Sequence, residues 1–483
     1  MASILLAFLL NFNIGFAGKS PESTIPNQKW TQKVGAQTFP RGKTLFKVAD
    51  YGAVSNGETL NTKAIQAAID DCSAKGGGVV TFEPGVYLTG SIFVKKGVHL
   101  RIDKGVEIRG SQDLSDYPDI DTRVAGMEMV WPAALINIIG QENAAITGEG
   151  IVNGQGKPFW DKYWAMRKEY DRKDLRWIVD YDCKRPRTLL VAESKNITLK
   201  GITLQQAGFW TVHILYSKYV TIDGLVIRNN IGGSGPSTDG IDIDSSSFVL
   251  IENCDIDCND DNFCLKAGRD ADGLRVNRPT EYVVIRNCIS RAGSGLVTCG
   301  SETSGCIRHI LTYNLTAKGT SNGIRFKSAK TRGGVVEDIQ VRDITMDGVG
   351  TVIKVDMNWY PSYSYSTLPE GYTSEELPPH WKTMLQKVEP PERGFPEVKD
   401  VRISRIKVSG AKTAIDACGM KESIVKNFYF KDVEIETDTA GKIEYAQGWK
   451  FKNVSIKAKD NSELDIKNCT DMNLNRAVEQ QNR

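Results

Sequence analysis

Long apolar runs are almost absent from this sequence of 483 residues. After one apolar stretch at its start, no segment reaches the roughly 18 apolar residues that a membrane span needs, so a membrane-spanning body is not expected. An excess of one charge is missing too. Sixty-one Lys and Arg stand against 59 Asp and Glu, a net charge of +2 with no basic tail or charge block, which argues against nucleic acid as a partner. Any polyanion must therefore be gripped locally. Cys-x-x-Cys pairs do not occur, although ten Cys are spread from Cys72 to Cys469, so no metal site of that kind is expected. Export would permit disulfides, and several of these Cys fit as core fillers. Helical periodicity is also scarce, which excludes alternating strand and helix units as the organising pattern.

Taken in order, Met1 to Ala17 has the form of a targeting segment. An apolar run, Ile4 to Leu10, leads to a small-residue exit at Gly15-Phe16-Ala17, which predicts cleavage after Ala17 and a secreted or periplasmic product. Residues 18–45 form an N-terminal extension. A strand follows at Phe46-Lys-Val-Ala, then a turn around Ser55-Asn-Gly. A helix is predicted from Asn61-Thr62, with Ala64, Ile65, Ala68 and Ile69 at helical spacing and Gly76-Gly-Gly at its end. One helix ahead of a long series of strands suits the cap of a solenoid, whose first coil would otherwise expose its core.

From there the chain repeats a short apolar alternation, a Gly, Asn or Asp, and a second alternation. Measured at Gly201, Gly224, Asn253, Asn287, Asn314, Asp343, Arg405, Asp432 and Asn453, most spacings fall between 21 and 34 residues. Strands at that period with no intervening helices predict stacked coils, a right-handed parallel β-helix in one domain over 46–470. Insertions at 157–184 and 358–395 interrupt the rhythm and are rich in aromatic residues. Such loops either line a working face or pack small cores of their own. Residues 471–483 are a polar tail, expected to be loosely ordered.

The carboxylates concentrate between Ser237 and Gly268. Ile241 and Ile243 alternate with Asp242 and Asp244, and Phe263 and Leu265 alternate with Cys264 and Lys266, as in two strands that each bury one face. Asp239 lies before the first strand, and Asp260 and Asp261 before the second, about one coil on. Glycosidic hydrolysis needs one carboxylic acid to protonate the leaving oxygen and a carboxylate to activate water or to attack. Repulsion between Asp260 and Asp261 can raise one pKa, and Asp239 can supply a base. Arg325 and Lys327, two apart on a strand, share one face, and with Lys266 they make a clamp for a carboxylate. Ser294, Asp242 and Arg269 are assigned to substrate binding with them. Turn formation without chemistry remains the competing reading of the Asp residues.

Four motifs, Ser237-Thr-Asp-Gly, Asp260-Asp-Asn-Phe-Cys-Leu-Lys-Ala-Gly, Gly293-Ser-Gly and Arg325-Phe-Lys, resemble in order and spacing those of the polygalacturonases, glycoside hydrolase family 28. Asp50-Tyr-Gly-Ala, the stretch from Asn61 to Asp70, and Gly76-Gly-Gly-Val-Val are similar to bacterial members, so the resemblance runs from Phe46 to Asn453. It implies inverting hydrolysis of α-galacturonide bonds in pectin, without metal or cofactor. Asp260 would be the general acid, Asp239 and Asp261 would activate water, and Arg325 and Lys327 would hold substrate beside the scissile bond. Ser237 stands where the family usually has Asn. Ser294 stands where the polygalacturonases have His, a loss similar to that in the rhamnogalacturonan-cleaving branch. The other histidines lie elsewhere; His213 is expected in the core or the cleft floor. With aromatic insertions to wall off one end, the expectation is a monomeric exo-acting galacturonidase on pectic oligosaccharides or polysaccharides. Endo-polygalacturonase and rhamnogalacturonan hydrolase are the alternatives in kind. A lyase or a non-catalytic carbohydrate-binding β-helix is the alternative in class.

Overall fold

A computed structural model describes residues 28–373 and 376–474. The targeting segment expected at 1–17 lies outside the described residues. Nearly all strands join one continuous parallel sheet that winds into a β-helix. Each central coil contributes three strands: Val212–Leu215, Lys218–Asp223 and Val226–Arg228 pair in register with Ile241–Asp244, Ser247–Glu252 and Asp255–Asp257 of the next coil. Inward positions stack into apolar columns, such as Val212, Ile241, Phe263, Val297 and Ile324, all essentially buried. Because a strand alternates its side chains, the residues between them form outward columns with equally strict register.

The repeat in the sequence has a backbone cause. Asn253, Asn287, Asn314, Asp343, Asp432 and Asn453 all take left-handed φ values, between 54° and 58°, where Asn and Asp are tolerated better than other non-glycine residues. Their side chains also bridge coils: Asn314 donates to Asn287 at 2.7 Å and Asn453 to Asp432 at 2.8 Å. These bonds make the turns a ladder.

The helix α1, Thr62–Ala74, buries Ile65, Ala68, Ile69 and Cys72 against the first coil. Its N-cap residue Asn61 makes no capping bond; its side-chain oxygen instead accepts from the Val54 amide at 2.7 Å. All ten Cys are free thiols, seven of them buried. At the far end, Asn473 and Leu474 pair with Lys450 and Phe451, so the start of the polar tail is strand, and residues 475–483 lie outside the described residues. No helix among the described residues is long and apolar enough to cross a membrane.

The two insertions differ from the plain loops expected. Residues 157–184 form the helices α2, Lys157–Arg172, and α3, Val179–Asp182. An antiparallel hairpin, Asp119–Val124 with Met127–Pro132, was not foreseen. Its hydrophobic side chains, among them Trp131, join Trp177 and Tyr181 of the first insertion and Trp381 of the second in a core separate from that of the helix. The insertions thus pack a core of their own and also line a cavity, described next.

Candidate active site

The candidate site lies on one outward face of the coil stack. Ile241 pairs with Phe263 and Phe263 with Val297, so the residues two positions upstream, Asp239, Asp261 and Gly295, also stand over one another. The amide of Gly240 donates to the Asp261 carbonyl at 2.9 Å. The coil is therefore one residue longer than the Asp239 to Asp260 spacing. Asp261 is the neighbour of Asp239, and Asp260 stands just ahead, its carboxylate accepting from the Asp261 amide at 2.9 Å. Carboxylate oxygens of Asp239 and Asp261 and the sulfur of Cys264 lie within 4.8 Å of one another. Lysines and an arginine supply the positive charge around these acids.

Neighbouring cations separate the acids electrically. Asp261 is fully buried and accepts from Lys327 Nζ and Thr298 Oγ1, both at 2.8 Å, with Arg325 Nη1 at 3.4 Å. Burial opposes its ionisation, but Lys327, Arg325 and Lys266 outweigh burial and hold the carboxyl well below its usual range. Asp260 goes the other way: burial and then the charge of Asp261 raise it, against Lys327 and Lys266. Asp239 is raised further above the usual range, by burial and then by Asp260. Three clustered carboxyls thus differ in proton affinity, with Asp261 the most readily ionised.

Lys266 is the hub beneath them. Its Nζ lies 3.3 Å from Glu302, 3.5 Å from Asp242 and 3.6 Å from Asp239, and 4.6 Å from the centre of the Trp210 ring. Asp242 is fully buried behind it, neither carboxylate oxygen has a hydrogen-bond partner among the described residues, and burial followed by Asp239 raises its pKa. A further buried set backs this layer: Arg187 Nη1 meets His213 Nδ1 at 2.9 Å, and Arg123 donates to Asp244 at 2.9 Å. Burial pushes His213 down to about 4, which leaves its ring neutral in the core.

Asp239, Asp260, Lys266 and Lys327 line one cavity of about 70 Å³, and Asp261 beside it is held by Lys327 and Arg325. Ser294 lies one coil beyond, its amide donating to the Asp260 carbonyl at 2.9 Å, and it does not line the cavity. Arg269 is placed elsewhere. Its guanidinium is bound to Asp270, Tyr181 and the Tyr363 carbonyl at 2.8 to 2.9 Å, where it ties the two insertions together. Gly295 allows Asp261 its place: a Cβ there would sit 2.4 Å from Thr298 Oγ1 and 2.8 Å from Asp261 Oδ1.

Sequence reasoning missed the lining residues Glu302, Trp210 and Asp180. Arg176, Trp359 and Tyr363 belong to the aromatic and charged insertions that the sequence offered as a working face. Asp180, from α3, accepts from Arg176 at 2.5 Å and from Ser237 Oγ at 3.2 Å, so the Ser that replaces the usual Asn is engaged by the insertion. The insertions meet above the site. Arg176 stacks over Tyr360 and Tyr363 at 5.2 and 4.7 Å, and Arg167 donates to the Tyr360 hydroxyl at 2.6 Å.

Residues 85–372 match the profile described as glycosyl hydrolases family 28. The chain is 33% identical over 316 residues to a probable polygalacturonase of Vitis vinifera, covering 62% of this chain and 60% of that protein. It is 25% identical over 394 residues to an exo-poly-alpha-D-galacturonosidase of Dickeya chrysanthemi, covering 73% and 64%. These matches span less than two thirds of either relative's length. Among solved structures, the hyperthermoactive exopolygalacturonase of Thermotoga maritima superposes with a TM-score of 0.75 at 25% identity, over 89% of this chain and 95% of that one. A family 28 exopolygalacturonase of Yersinia enterocolitica gives 0.72 at 21% identity, over 91% and 79%, a likeness of fold.

Proposed function

Because the chain belongs to glycosyl hydrolases family 28, we propose that it hydrolyses α-D-galacturonide bonds of pectic chains with inversion, releasing units from chain ends. The observation that carries the reading is the split in proton affinity among three clustered carboxyls. Asp260, raised by burial and by Asp261 where Asp261 is lowered, holds a proton more tightly than Asp261 and is placed to give it to the leaving oxygen. Asp261, held ionised by Lys327 and Arg325, is the base, and a water between it and Asp239 fits carboxylates within 4.8 Å. Lys327 lines the cavity and Arg325 pairs with the same Asp261, a set of cations suited to a uronate carboxylate.

Action at chain ends is supported by the insertions, which join through Arg167, Arg176 and Tyr360 over the cavity. Use of a neighbour other than galacturonate is supported by Ser294, small and half-buried beside Asp260. Export is part of the same proposal, tested by N-terminal sequencing of the mature protein, which is expected to begin at Gly18. Incubation with homogalacturonan and rhamnogalacturonan oligomers, followed by proton NMR and chromatography of early products, tests the rest. Single β-anomeric galacturonic acid from both substrates is expected. An initial α-anomer overturns inversion, a ladder of mid-length oligomers overturns end action, and exclusive use of homogalacturonan overturns the argument from Ser294.

A further inference from the structure

A far larger hollow than the catalytic cavity lies close to it. A groove of about 1150 Å³ sits on the opposite side of the 119–132 hairpin, over the coils that precede the acids. Its floor is the same outward face of the same sheet: Leu190 lies one coil before His213, and Leu215 one coil before Asp244. The wall between the two sites is shared. From α3, Asp180 faces the catalytic cavity and Asp182 faces the groove; from the hairpin, Ala125 faces the first and Thr122 the second.

The two hollows differ in their cations. The catalytic cavity sets Lys266, Lys327 and Arg176 among its carboxylates Asp180, Asp239, Asp260 and Glu302. The groove carries four carboxylates, Asp121, Glu128, Asp182 and Glu193, and its one lysine, Lys184, is paired with Asp119 at 2.7 Å. Asp182 is bound by His380 at 2.5 Å and by Trp381 Nε1 at 2.9 Å, and Glu128 by Tyr216 at 2.8 Å and by Arg275. Asp121 and Glu193 are exposed and form no ion pair among the described residues. Between these acids run the apolar floor and the half-buried rings of Tyr170 and Tyr216.

We infer that this groove is a second carbohydrate-binding site, for uncharged sugars. Rings and aliphatic side chains suit the C–H faces of a pyranose or furanose. Ionised carboxylates accept sugar hydroxyls in charge-assisted hydrogen bonds, whereas a uronate would meet like charge. A basic peptide fits less well, since two of the four carboxylates are already held by protein donors and the floor is apolar. The groove lies on the same face as the catalytic cavity, so a neutral branch or neighbour of a chain whose charged end occupies that cavity can lie in it. The inference stands on the groove's own lining and is independent of the reaction proposed for the cavity.

Calorimetry of the full chain with uncharged tetrasaccharides of galactose, arabinose, glucose and mannose, and with tetragalacturonate as competitor, tests it. At least one uncharged tetrasaccharide is expected to bind saturably in the millimolar range or tighter and to survive competition. Asp121→Arg with Glu193→Arg, both exposed, removes two acceptors and is expected to weaken that binding about tenfold, with galacturonan hydrolysis, followed separately, unchanged. Absence of saturable binding by all four, displacement by tetragalacturonate, or equal binding by the double variant overturns the inference. Loss of hydrolysis with binding retained would indict the catalytic reading alone.

Discussion

One outward column of the β-helix runs through two regions with different fates. It runs through His213, Asp242, Cys264, Thr298 and Arg325 and continues, pair by pair, into Lys354, Asp416 and Lys442. In the second region, Lys354 and Asp416 form an ion pair with side chains 23% and 27% exposed. In the first, Lys327 and Asp261 form the same kind of pair at 7% and 0% exposure. The backbone is the same ladder in both. The hairpin and the two insertions cover the middle coils, while the strands Glu397–Cys418 and Val425–Glu444 run on with only a short turn between them. Cover lowers the local dielectric, and in a low dielectric a nearby charge shifts a neighbour's proton affinity far more than it does at a wetted surface.

The largest test of that contrast is loss of an acid. Asp260→Asn, Asp261→Asn and Asp239→Asn are each expected to lower kcat by about 10²–10⁴-fold with the fold retained, whereas Asp416→Asn leaves kcat unchanged. Equal effects in both regions would break the comparison. Next is Gly295→Ala, whose Cβ would press on Asp261 and Thr298; a displacement approaching 1 Å costs about 10²-fold in kcat. Gly348→Ala, with no atom within 4 Å of its Cβ, is expected to leave kcat intact.

Removing a lysine tests both stability and proton affinity. Lys327→Met strands the buried Asp261 charge and is expected to cost about 3 kcal/mol in chemical unfolding, against about 1 kcal/mol or less for Lys354→Met. The sign of the pH effect follows from the same cation. Lys327 favours the ionised forms of both Asp261 and Asp260, so its loss raises both pKa values. Ionisation of the base sets the acid limb of the activity profile and deprotonation of the acid sets the alkaline limb, so both limbs move to higher pH. A profile that stays in place would show that Lys327 acts on substrate alone. The smallest effect is expected from Tyr360→Phe, which removes the hydroxyl accepting from Arg167 and loosens the joint between insertions by about 1 kcal/mol. A rise in longer early products would then show that this joint helps to close the cavity.

How far the site was legible follows from where its information resides. Asp239, Asp260 and Asp261, with Lys266, Arg325 and Lys327, stand in strands or at their bends, where a period of two and a coil of fixed length predict which side chains share a face. The parallel β-helix was legible for the same reason, since left-handed turns at Asn253, Asn287 and Asn314 are written as local residue preferences. Asp242 and Arg269 show the limit. Both are polar residues in the right segment, yet one is sealed behind Lys266 and the other ties the insertions together. Asp180 carried no signal of its own, because its approach to the acids depends on how the first insertion folds back over the coils, whereas Trp210 and Glu302 stand on the coils themselves and were overlooked.

Register, turns and the order of the acids are short-range properties, carried by side-chain alternation and by residues that tolerate positive φ, so a linear chain specifies them locally. Which carboxyl keeps its proton is a long-range property. It depends on burial and on charges brought within about 4 Å, which neighbouring coils and the docked hairpin and insertions supply together. That same docking divides one continuous sheet face into a cavity of interleaved lysines and carboxylates and an acidic, apolar-floored groove, a partition that no stretch of sequence encodes alone.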